Sequence, residues 1–213
     1  MSDEDLFQGA LGSETELREL YGPAHPRAVR KQIDHLDDGA RQLIALAPIV
    51  FVASHDAAGA VDVSPRGGPP GFVTVLDDGH VAIPDATGNR RIDTLRNVIA
   101  TGRAGLLFAI PGRGQTLRVN GRACVSTRPR LLERLTAVGK PPRSALVVAA
   151  EEVLAHCPKA FIRSRLWEPQ SWPDAADQPT SAEISHAHLG GDEFMTLAEV
   201  EQSERDALRY RLA

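Results

Sequence analysis

Cysteine is scarce in this 213-residue chain, which has only Cys124 and Cys157. Two thiols fit neither a disulfide framework nor a tetrahedral zinc ligand set, so a cytoplasmic protein with reduced thiols is the simplest expectation. Positive charge is not in excess either. Lys+Arg number 24 against 28 Asp+Glu, a formal net charge of -4. That balance excludes the overall basic field that draws a protein to nucleic acid or anionic lipid, so any anion site must be local. The segment MSDEDLFQGALGSETELREL opens acidic and lacks the basic and apolar regions of a secretory signal. No apolar run reaches the roughly 18 residues of a spanning helix, so a soluble protein without a membrane partner is expected.

Several signatures of chemistry are missing as well. No G-x-G-x-x-G follows a strand, and no G-x-S-x-G is present, which removes the dinucleotide fingerprint and the hydrolase elbow. His186 and His188 have no Asp, Glu or Cys at a spacing that completes a metal site. His156 and Cys157 are neighbours on an expected strand, which points them to opposite faces and argues against a Cys-His nucleophile. There are no internal repeats and no low-complexity linker.

What the chain does have is a change of texture at Pro48. Residues 1–47 read as a helical extension that packs on the domain that follows. Ser13 and Glu16 have capping-box spacing, Gly22-Pro23 is a stop, and Pro26 opens a second helix carrying Val29, Ile33 and Leu36. A third short segment contains Leu43, Ile44 and Leu46. From Pro48 onward, the runs IVFVAS, VDVS, FVTVL and HVAI alternate with turn residues. About four strands in so short a stretch imply antiparallel hairpins and a mainly β fold. A helix is expected from near Arg91 to Ala100 with Ile92, Leu95, Val98 and Ile99 on its apolar face. The strands AGLLFAI and TLRVNGRACVS follow, then a helix near Arg130 to Val138, one strand ALVVAAEEVL, and a short helix over Lys159 to Leu166. Residues 48–170 form the expected domain, and 171–213 an irregular segment ending in an amphipathic helix from Thr196 to Tyr210.

Three clusters can carry chemistry. Gly88-Asn89-Arg90-Arg91 stands just before the helix whose first turn holds Thr94. Unpaired backbone N–H groups at a helix start favour an anion, and arginines add bidentate donors for phosphate. Arginines at a helix start are otherwise disfavoured by the dipole, so solvated residues are the competing reading. The second cluster, Ser64-Pro65-Arg66-Gly67-Gly68-Pro69-Pro70-Gly71, reads either as a loop that lets backbone approach a flat ligand or as a plain crossover. The third places Lys159 and Arg163 on one helical face with Trp167 beyond them, to cover a flat ring or to sit in water.

The ordered motifs SPRGGPPGFV, IPDATGNRR, GLLFAIPGRGQTLRVNG and HCPKAFIRSRLW resemble the FMN-dependent members of the pyridoxamine-phosphate oxidase-like superfamily, over roughly residues 40–170. More specifically, they resemble a bacterial subgroup of uncharacterised probable flavoproteins. This implies a six-stranded antiparallel split β-barrel with peripheral helices, paired as a homodimer with FMN in clefts between subunits. By the same resemblance, Asn89, Arg90 and Arg91 hold the FMN phosphate, with Thr94 counted beside them from its place in the first turn of the following helix, and Pro84 and Asp85 lie along the flavin. Ser64, Pro65, Arg66 and Gly67 line the ring and ribityl chain, and Thr116 and Arg118 reach the ring. Lys159 and Trp167 approach from the second subunit. The oxidases commonly carry Gln where Thr116 stands, and the subgroup an acidic residue where Gly68 stands.

The function that follows is an FMN-dependent oxidoreductase acting on an unidentified small molecule or electron donor, with no catalytic side chain named. A flavin carrier without turnover, or a split barrel that uses haem or a deazaflavin, stays open. Pyridoxamine-phosphate oxidation is a minority reading, because the closing RYRLA lies in an expected helix and not a strand.

Overall fold

The computed structural model describes residues 5, 7–86, 88, 90–135 and 141–210. The chain divides into two compact units, Met1–Gln32 and Ile33–Ala213. In the first, helix α1 (Glu14–Tyr21) begins with the expected reciprocal cap: Glu16 N–H donates to Ser13 Oγ at 3.3 Å, and Ser13 N–H donates to Glu16 Oε2 at 3.0 Å. Gly22, at φ 70, ends it. Pro26 sits in the first turn of α2 (Pro26–Arg30), where a missing N–H costs nothing. Neither helix has a buried residue.

The second unit starts with an extended segment. The expected second helix stops at Arg30; Ile33 instead forms an antiparallel bridge with Val153, and Leu36 is fully buried. Helix α3 (Asp38–Leu46) is capped by Asp37 and buries Ala40 and Ile44. Strands β1 (Ile49–His55), β2 (Val61–Gly67), β3 (Thr74–Asp77) and β4 (His80–Pro84) follow, then α4 (Asp93–Thr101), β5 (Arg103–Ala109) and β6 (Thr116–Ser126). The single turn α5 (Pro129–Leu132) leads to β7 (Ala145–Ala149), β8 (Glu152–His156) and α6 (Lys159–Ser164). Helices α7 (Ser181–His188) and α8 (Leu197–Tyr210) pair near the C-terminus, where Glu204 accepts from Ser181 and Ser185.

Every strand pairing is antiparallel, in the order β2-β1-β5-β6-β7-β4-β3, with β8 paired to β6 off that path. The sheet thus has eight strands and is open, where six were expected. Part of the difference lies in ALVVAAEEVL, which is two strands and not one. Ala150 N–H donates to Gly79 O and Glu151 N–H to Asn120 O, and these two bonds turn the chain from one half of the sheet to the other. Strand β6 serves both halves, pairing β8 through Thr116–Asn120 and β7 through Ala123–Ser126. That shared long strand is what splits the barrel. The core between the halves is built from Val50, Val52, Leu106, Phe108, Val119 and Val148 with Leu36 and Ile44 from below.

Two further expectations shift at the candidate site. Ser64–Gly67 belong to β2 and not to a loop, and Pro65 is tolerated because β2 is an edge strand with a free side. Helix α4 begins at Asp93, and its buried residues are Thr94 and Val98, whereas Ile92 and Ile99 are 53% and 75% exposed. A polar contact made by Thr94, described below, takes the place of the apolar stripe.

Candidate functional site

Strand β2 alternates by the period of two. Val61, Val63 and Pro65 face outward, while Asp62, Ser64 and Arg66 pair in register with the buried Ser54, Val52 and Val50 and so point inward. Inward from β2 lies α4. Thr94, 1% exposed, donates to Asp62 Oδ2 at 2.8 Å, and Arg66 Nη2 donates to Thr94 Oγ1 at 3.1 Å. Ser64 Oγ donates to the same carboxylate at 3.1 Å, and Ser54 Oγ does so at 3.5 Å. Asn97 Nδ2 donates to Ser54 Oγ at 3.0 Å. Each hydroxyl has one proton, so those of Thr94 and Ser64 are directed at Asp62.

Pro84 is buried at the end of β4, and Asp85 N–H donates to Ser144 O at 2.9 Å. Burial pushes the half-buried Asp85 carboxyl above its ordinary range, and the charges of Arg66 and Arg143 oppose that rise. Arg90 and Ile92 have left-handed backbones, φ 64 and 53. For a β-branched residue such as Ile92 this is a genuine outlier, the kind of local strain that gathers at binding sites. Ile92 is also the N-cap of α4 and supplies no side-chain cap, so the first-turn N–H groups of that helix lack the usual side-chain acceptor. Arg91 Nε donates to Asp93 Oδ2 at 2.7 Å. Asp93, and then Asp62, hold the Arg91 guanidinium more firmly protonated.

One chain therefore brings together Ser64, Arg66 and Thr94 by hydrogen bonds, with Pro65 and Gly67 on the same strand and Asp85 within the field of Arg66. Asn89 lies outside the described residues. Thr116 and Arg118 are not part of this cluster. Arg118 pairs with Leu107, which pairs with Phe51 and so with Pro65, and this row is the outward face of the sheet. There Arg118 Nε is buried with no hydrogen-bond partner, and its Nη2 lies 3.7 Å from Glu152. Lys159 is exposed at the start of α6. Trp167 donates from Nε1 to Arg113 O at 2.9 Å and stacks on Phe161 with centroids 5.8 Å apart. A groove of about 570 Å³ is lined by Ala53, His55, Val61, Asn120 and Glu152 among others, and Ser54 of the polar network also lines it.

Asp62, Ser54, Asn97 and Arg143 were not singled out from sequence. Asp62 carried a readable signal: D-x-S-x-R places it on the same strand face as Ser64 and Arg66. Asn97 and Ser54 carried none, because they meet only across α4 and β1.

An open antiparallel split barrel with a polar cluster at one helix start is the class that these features define. The family model for pyridoxamine 5'-phosphate oxidase matches residues 36–157, and the chain belongs to that family. No curated protein matches it. Among solved structures, Group A Streptococcus HupZ is similar at 19% identity and a TM-score of 0.45, over 56% of this chain and 92% of HupZ. The heme storage protein HutZ of Vibrio cholerae is 12% identical with a TM-score of 0.37, over 57% of this chain and 93% of HutZ. An FAD binding protein from Mycobacterium smegmatis is 11% identical with a TM-score of 0.40, over 58% of this chain and 97% of its own. Among the described residues, no helix is long and apolar enough to cross a membrane.

Proposed function

We propose that the protein is a flavoprotein that binds FMN, with the phosphate at the start of α4 and the ring along β2, and that it acts as an FMN-dependent oxidoreductase. The observation that carries this reading is the Arg66–Thr94–Asp62 chain of hydrogen bonds beneath a helix start that has no side-chain cap. A phosphate monoester fits that donor set: backbone N–H groups, the helix dipole and the fork of Arg66, with Arg90 and Arg91 adjacent in sequence. Gly67 leaves room for a flat ring, since a Cβ there would meet no atom closer than Pro48 O at 3.6 Å. Bound flavin supplies electron transfer; this chain supplies the anchor, the orientation and the local charge.

The reading includes a homodimer. Arg118 stands on the outward face with Val61 and Val63, which are 76% and 61% exposed, while Thr116 on the same strand is buried. A second copy seated on that face would cover the valines and bring the exposed part of the Arg118 guanidinium toward a ring held by its partner.

The test is an absorption spectrum of protein purified without added cofactor, with mass analysis of the released ligand and FMN titration of the stripped protein. Flavin bands, FMN mass and bleaching by a reduced nicotinamide are expected. A Soret band, a deazaflavin mass, or failure to take up FMN overturns the reading; flavin that no donor reduces points to a carrier.

A further inference from the structure

Thr94 Oγ1 stands between a carboxylate and a guanidinium, 2.8 Å from Asp62 Oδ2 and 3.1 Å from Arg66 Nη2. A guanidinium only donates and a carboxylate only accepts, so both directions are fixed: Thr94 donates to Asp62 and accepts from Arg66. Asp62 therefore sets the rotation of the Thr94 hydroxyl, and the hydroxyl lone pair sets the guanidinium plane. Asp62 is itself held by Ser64, which reaches both carboxylate oxygens, and by Ser54, which meets Oδ2 and accepts from Asn97 of the same helix. It is a fixed post.

The spacer matters electrostatically. A direct, two-bond pair with Asp62 would occupy the fork of Arg66 and cancel its charge where an anion is to bind. With Thr94 interposed, Arg66 engages Thr94 from Nη2 and Pro65 O from Nη1, and three of its five donors stay available.

We infer that Asp62 and Thr94 are positioning residues for Arg66: they hold its guanidinium in one plane between β2 and α4 so that its remaining donors meet the anion, and neither touches the anion itself. The inference rests on the reading that this site takes the FMN phosphate. It reassigns Thr94 from a direct ligand to an intermediary, and it gives Asp62 a role.

The test uses Thr94→Val, which keeps the shape and removes the hydroxyl, Thr94→Ser, which keeps the hydroxyl, and Asp62→Asn as a second break in the relay. In the ligand-free protein, nitrogen-edited NMR should show resolved, slowly rotating Nη protons for Arg66 in wild type and Thr94→Ser, and averaged ones in Thr94→Val and Asp62→Asn. In titrations, Thr94→Val should weaken FMN about tenfold but riboflavin by no more than about twofold, the loss of one charge-assisted hydrogen bond to the phosphate anchor. Thr94→Ser should restore FMN binding. An unchanged Arg66 spectrum in folded Thr94→Val, equal losses for FMN and riboflavin, or failure of Thr94→Ser to rescue would each overturn the inference. Should wild type bind neither flavin, the proposed function falls, while the Arg66 spectrum still decides whether the relay exists.

Discussion

Gly121 and Ala149 meet where β6 changes partners: a Cβ on Gly121 would lie 1.8 Å from the Ala149 carbonyl oxygen. Asn120, the preceding residue, accepts from Glu151 N–H, so the contact marks the point at which the two halves of the barrel join. Gly121→Ala cannot be relieved by a side-chain rotation, because the obstacle is backbone. Destabilisation of about 3 kcal/mol, the upper end of overpacking costs, is expected as a lowered denaturation midpoint at unchanged slope. A midpoint within error of wild type would mean that the junction is pliable.

Most of the strands were legible in sequence because their turn chemistry is strong, as at Asp56 and Gly59 between β1 and β2, where Gly59 adopts φ 91. The same local logic failed for ALVVAAEEVL. Its break at Ala150–Glu151 is imposed by bonds to Gly79 and Asn120, residues remote in sequence, and no turn residue marks it. The candidate site divides in the same way. Arg66 and the start of α4 could be named from pattern, but the hydroxyl of Thr94 is aimed by Asp62 across 32 residues of chain. Helical periodicity assigned Ile92 and Ile99 to the core, and the structure exposes both because Thr94 anchors the helix by a polar contact.

Asp85 predicts a pH dependence. Burial raises its folded-state pKa above the ordinary 3.8, so the folded chain holds the proton more tightly than the unfolded chain. Its contribution to stability is fully present below the unfolded value and is lost as pH rises through the folded one. Asp85→Asn, which has no proton to lose, should therefore gain stability relative to wild type between acidic pH and neutrality. Denaturation midpoints of the ligand-free proteins across that range check it, and a difference that does not vary with pH would contradict the assignment.

Gly67 predicts a loss of ligand without a loss of fold. Its extended backbone lies in an edge strand, a Cβ there has ordinary contact with Pro48 O at 3.6 Å, and a β-branched residue suits a strand. Gly67→Val should keep its melting temperature within a few degrees, roughly what a change under 1 kcal/mol produces. Its FMN occupancy should fall, because the new side chain stands where backbone would approach the ring. Full occupancy in a folded variant would move the ring away from β2.

Arg91 and Arg90 predict discrimination between phosphorylated and unphosphorylated flavin. One charge-assisted contact corresponds to about 1.5–3 kcal/mol, so either arginine changed to Ala should weaken FMN by roughly 10- to 150-fold. Riboflavin, which lacks the phosphate, should be almost unaffected. Arg91 also engages Asp93 in the first turn of α4, so its variant should be compared with Asp93→Asn to separate loss of the anchor from loss of that pair. Equal losses for both flavins would make these arginines shapers of the pocket and not phosphate ligands.

The outward face of β2 predicts the mode of association. An edge strand can pair with another edge, but β2 carries Pro65, which has no N–H to offer, so edge-to-edge pairing is poorly supported. Face-to-face packing on Val61 and Val63 remains, beside Phe51 of β1. In a twofold interface each residue occurs twice, so one substitution acts on both copies. Val63→Glu should weaken dimerisation on the order of 100-fold, because two carboxylates would be buried without partners. Sedimentation at micromolar concentration should show wild type at twice the monomer mass and the variant at the monomer mass, with unchanged circular dichroism. FMN affinity should fall with the dimer if Arg118 of one copy meets the ring held by the other. A monomeric variant that keeps wild-type FMN affinity would confine the whole site to one chain, and a dimer insensitive to Val63→Glu would place the interface on another face.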